Sequence, residues 1–127
     1  MVGRTRLDTS VHPPIVHELE IELDYWPSGE VLEEFPCFFV VPRVRVAIEA
    51  SKLTGVTFHE MTVSPSDNYR DLYPNQPLPE FIWMKLHGVA GQHDFGIAKD
   101  LRLVVSRDAE LVLRGFNLSF ATFDAYP

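Results

Sequence analysis

The chain has 127 residues, of which 46% are apolar and 23% charged, and its formal net charge is −7. That length suits one domain with a core large enough to need no metal or disulfide staple. The negative charge opposes binding to nucleic-acid phosphates and suits a partner with a basic surface. No stretch approaches the roughly 20 apolar residues of a membrane span, and no apolar run follows the start, so a cytoplasmic location is expected.

Residues 1–14, polar and closed by Pro13 and Pro14, are predicted to be a flexible tail ahead of a single domain over 15–127. From His17 to Trp26, Leu19, Ile21, Leu23 and Tyr25 alternate with Glu18, Glu20, Glu22 and Asp24. Period two predicts a strand with the apolar residues inward and the carboxylates outward. The run Phe38 to Val41 is continuously apolar, as in a strand covered on both faces. Pro42 can occupy the first position of a helix whose stripe is Val44, Ala47, Ile48 and Ser51, ending near Leu53. Gly55 is placed to supply a left-handed cap.

Val56–Val63 reads as one strand, and residues 64–80, rich in Pro with Asp67, Asn68 and Asn75, as a long working loop. Phe81–Leu86 is predicted as a strand, His87–Lys99 as a glycine-rich loop, and Leu101–Val105 as a strand. Ser106 is a candidate N-cap with Asp108 in the first turn. It opens a helix with the stripe Ala109, Val112, Leu113 and Phe116. Phe120–Tyr126 closes the chain as a strand.

Val40–Arg43 matches Val104–Arg107 at an offset of 64, and the two helical stripes match at 65 after a one-residue adjustment. The expected fold is therefore α+β, a mainly antiparallel sheet with two helices, built from two related strand–helix–strand units.

Asp94-Phe95-Gly96, the segment Leu103–Arg114 and the closing Ala121–Tyr126 resemble the C-terminal part of immunity-like proteins of bacterial polymorphic toxin systems, of myxobacterial and other proteobacterial type. The resemblance covers residues 81–126 and implies a cytoplasmic protein that acts by binding a cognate toxin. One branch of these proteins carries paired Cys-x-x-Cys motifs of zinc-binding spacing. Here Cys37 is the only cysteine, so that zinc ribbon is excluded, and a buried structural thiol is the expected role.

No catalytic residue, metal ligand set or cofactor is assigned. His87, His93 and Asp94 are the best acid–base or metal candidates, yet their spacing matches no ligand pattern, and loop residues with local turn bonds are the plainer reading. The acidic segment between residues 18 and 34 contains no Lys or Arg, and Glu18, Glu20, Glu22 and Asp24 make a row of four carboxylates on one strand face. Its self-repulsion would be relieved by a basic partner, although a solvated outer face accounts for it too. On an edge strand the same charges would guard against unwanted pairing. The expected contact residues are Glu18, Glu20, Glu22 and Asp24 with Tyr69, Arg70 and Tyr73, the two tyrosines being expected at the surface. The partner expected is another protein, such as a basic toxin domain. The alternative is a regulatory or scaffolding module, including a homodimer that uses an exposed strand.

Overall fold

The computed structural model describes the backbone of residues 2–8, 15–34 and 36–118, with side chains over 18–34 and 36–118. The described elements are β1 (Val2–Asp8), β2 (Ile15–Leu23), β3 (Val31–Glu34), β4 (Cys37–Val40), α1 (Pro42–Ala50), β5 (Val56–His59), β6 (Thr62–Pro65), α2 (Asp67–Leu72), β7 (Ile82–Leu86), β8 (Phe95–Ile97), β9 (Leu103–Val105) and α3 (Arg107–Leu113). The class is α+β with mainly antiparallel pairing, as expected. Three helices are described where two were expected.

The strands form a three-stranded sheet in the order β1-β2-β6, a four-stranded sheet β3-β4-β7-β5 and a ribbon β8-β9. Only the β2–β6 pairing within these sheets is parallel. Side-chain alternation explains the layering. From β4, Cys37 and Phe39 join a cluster with Leu19, Ile21, Leu23, Tyr69, Phe81 and Trp83. Phe38 and Val40 point the other way, to Val44, Ile48, Ala109 and Leu113 of the helices. The four-stranded sheet thus lies between the three-stranded sheet and the helix layer, which is why β4 is apolar at every position.

The second strand behaves as its alternation predicts over Leu19, Ile21 and Leu23, all buried. Tyr25 does not follow them, because β2 ends at Leu23 and the tyrosine is 57% exposed beyond it. Residues 2–8, expected as tail, instead form β1 alongside β2. Residues 9–14 and the expected final strand over 120–126 lie outside the described residues.

Val56–Val63 is not one strand. Val56 and Phe58 pack on the helix-side cluster, whereas Met61 and Val63 pack on the other. The chain therefore leaves one sheet as β5 and enters the other as β6. The left-handed residue after α1 is Lys52, at φ 54°, rather than Gly55. Gly55, at φ 89°, serves a close crossing: a Cβ there would lie 2.2 Å from the Phe95 carbonyl oxygen, and its own carbonyl accepts the N–H groups of His87 and Gly88.

Over their described strand–helix parts, the two units align at one offset, 65, with no adjustment at the helix start. Strand ends Val40 and Val105, cap residues Val41 and Ser106, first helical residues Pro42 and Arg107, and the buried pairs Val44/Ala109 and Ile48/Leu113 all correspond. Their surroundings differ. β4 and β5 flank β7 in one sheet, while β9 pairs only with β8 within the named strands.

Candidate protein-binding site

The segment expected as loop after β6 contains the helix that builds the site. Ser66 caps α2, its hydroxyl accepting the Tyr69 N–H at 3.1 Å, with Asp67 in the first turn. The cap satisfies a backbone donor that would otherwise face water at the helix start. Ser66 also donates its N–H to the Leu23 carbonyl at 2.9 Å, and the Asn68 amide donates to the Asp24 carbonyl at 2.9 Å. These two bonds hold α2 against the end of β2. They bring together parts of the sequence some 44 residues apart.

Tyr69, expected at the surface, is only 2% exposed and belongs to the core cluster. On a helix one and a half turns long, the ring three positions after the cap falls on the side facing the sheet. Its hydroxyl has no hydrogen-bond partner among the described residues, and burial raises its pKa. Tyr73 is half-buried. Its ring contacts Tyr69, with centroids 4.9 Å apart, and Trp26, edge-on at 6.5 Å. Its hydroxyl accepts the Trp26 backbone N–H at 3.2 Å. Arg70 is exposed and pairs with Asp67.

Around Tyr73 the surface carries three large apolar groups: Tyr25 and Trp26 after β2, and Leu72 at the end of α2, at 57%, 41% and 55% exposure. Asp24, Asp67 and Asp71 flank these groups in the chain, together with Arg70. Trp26, Tyr25 and Leu72 were not among the expected contacts. The alternation had placed Tyr25 inward, and the helical turn that exposes Leu72 was read as loop. Ser66-Asp67, the same Ser-plus-acid opening used by α3, was the signal available for it.

Glu18, Glu20 and Glu22 stand on β2, the middle strand of its sheet, so edge protection is not their role. The register sets Arg4 opposite Glu20 and Arg6 opposite Glu18. Glu20 and Glu22 are half-buried, and Glu18, Glu22 and Asp24 each take part in an intramolecular interaction. The row thus lies on the outer face of the three-stranded sheet and runs up to the aromatic surface at Asp24.

Asp94 has a structural task. Its carboxylate accepts the Ser106 hydroxyl at 2.6 Å, and the Thr54 N–H and hydroxyl at 2.8 and 3.1 Å. These bonds, Ser106 first and then Thr54, hold its pKa below the ordinary carboxylate value. They are long-range contacts rather than the local turn expected. Ser106 meanwhile accepts the Ala109 N–H as the cap of α3, and His93 Nδ1 accepts the Val89 N–H at 2.8 Å. Thr54, Gly91, Gln92, His93, Asp94, Val105 and Ser106 line a cavity of about 240 Å³, below the range of roughly 300–1,000 Å³ typical of small-molecule pockets.

His87 turns away from this group toward Thr57. No cluster of three or more His, Cys, Asp or Glu poised for a metal occurs among the described residues. Cys37 is buried as expected, and burial, then the nearby Glu34, pushes its thiol up to about 11. Among the described residues no helix is long and apolar enough to cross a membrane. Comparison with family models, with curated proteins and with solved structures finds no match to this chain.

Proposed function

We propose that this chain is a non-catalytic protein-binding domain of the immunity type, which neutralises a cognate toxin by covering it. The observation that carries the reading is the aromatic surface at Tyr25, Trp26, Leu72 and Tyr73. Exposed Trp and Tyr held in place by a rigid scaffold are the residues that dominate binding energy at protein interfaces. The hydrogen bonds from Asn68 to Asp24 and from Trp26 to Tyr73 fix this surface before a partner arrives, which lowers the ordering cost of association. The flanking carboxylates and the net charge of −7 favour a basic toxin domain and speed its encounter at low salt. The resemblance over residues 81–126 supplies the immunity role.

The test is co-expression with the toxin-like product of the adjacent reading frame. Growth is protected by the native chain, and Trp26→Ala weakens the complex at least tenfold in calorimetric titration. Binding without growth protection would move the protein to the regulatory class. Undiminished affinity in a Tyr25→Ala, Trp26→Ala double variant would remove the surface from the account.

A further inference from the structure

The inner face of the four-stranded sheet is buried at β4 and open at β5. Alternation puts Thr57 and His59 on that face, and His87 follows the end of β7 beside them. All three are exposed. The Nε2 atoms of both histidines lie within 2.8 Å of one oxygen, the Thr57 hydroxyl. The rings are 6.4 Å apart at 66° to each other, so their nitrogens converge while their bodies diverge. His59 also lies against Trp83, with ring centroids 5.7 Å apart. Two neighbouring strands in fixed register, β5 and β7, supply the backbone for this arrangement.

We propose that His59 and His87 form a two-histidine site for a divalent transition metal of the zinc or copper class. Imidazole nitrogen suits these ions, and tetrahedral zinc takes nitrogen ligands at about 2.0–2.1 Å. A hydroxyl that donates to one Nε2 and accepts from the other leaves one ring with a bare Nε2 and one with Nε2–H. Binding needs that second ring to move its proton to Nδ1 and the Thr57 hydroxyl, which occupies the point both Nε2 atoms face, to turn aside about χ1 and admit the ion. No third His, Cys, Asp or Glu completes the set among the described residues. Water, or a side chain of another molecule, fills the remaining positions. The ion is therefore exchangeable rather than structural. This site lies apart from the aromatic surface and does not depend on its function.

The test uses tag-free protein carrying Trp26→Phe, so that Trp83 alone reports. Copper(II) should quench its emission to saturation at one equivalent. His59→Gln and His87→Gln should each weaken this at least tenfold, with His93→Gln unchanged. In the unaltered protein, copper(II) should broaden the ring resonances of His59 and His87 and spare those of His93. Quenching that does not saturate, or that survives in the His59→Gln, His87→Gln double variant, would overturn the proposal. Equal broadening at His93 would do the same.

Discussion

The strand–helix parts of the two units have the same local geometry but differ in what surrounds and holds them. In the first, β4 is buried on both faces and α1 starts at Pro42 with no side-chain cap on Val41. In the second, the three residues of β9 are only half-buried, and Ser106 caps α3 while bonded to Asp94. Both helices bury two apolar residues in the same cluster, and the second is held in addition by a polar staple reaching to Thr54. A shared sequence pattern therefore predicts the shape of a unit better than it predicts what stabilises it.

The two units should differ most at equivalent strand positions. Phe39→Ala removes a fully buried ring and should cost about 3–5 kcal/mol in denaturant unfolding. Val104→Ala, at the corresponding half-buried position of β9, should cost about 1 kcal/mol. Similar losses at both would show that the second unit depends on burial after all.

The staple should rank next. Asp94→Ala leaves the Thr54 and Ser106 donors without their charged acceptor and, since Thr54 is exposed to water, should cost about 1–2 kcal/mol. Because the folded-state pKa of Asp94 is depressed, its contribution is complete above the unfolded carboxyl value near 3.9. It is lost as pH falls through the lower folded value. The native protein should lose stability from this source below about pH 4, and the acid limb of an Asp94→Ala stability profile should be flatter. An unchanged slope would deny Asp94 its anionic role.

Ser106→Ala should cost about 1–2 kcal/mol through the lost cap, measured by thermal melting. The smallest effect belongs to the aromatic surface. Tyr25→Ala should change stability by less than about 0.5 kcal/mol while weakening partner binding, which separates an interface residue from a packing one. The Cys37 thiol, with its pKa near 11, should resist alkylation at neutral pH until the protein unfolds.

Much of this was legible because it is periodic. Leu19, Ile21 and Leu23 gave the inner face of β2, the unbroken run at β4 gave two-sided burial, and Ser106 with Asp108 gave the start of α3. The sheet switch after β5 also left a trace, since the apolar positions change parity between Val56, Phe58 and Met61, Val63. It was hidden because each half alone reads as the same strand. The site was less legible. Tyr69 and Tyr73 look equally exposed among Asp67, Arg70 and Asp71, and only the turn of α2 assigns one to the core and leaves the other at the surface.

Which residues seek burial and where short helices can begin follow from side-chain period and backbone caps, both local properties of the chain. Tertiary structure alone decided which sheet each strand joined and that Asp94 meets Thr54 and Ser106. It also brought Trp26 to Tyr73 and His59 to His87. Those pairings depend on where distant segments cross, as at the close approach of Gly55 and Gly88 to the Phe95 carbonyl, and chain closure of that kind carries no local signature.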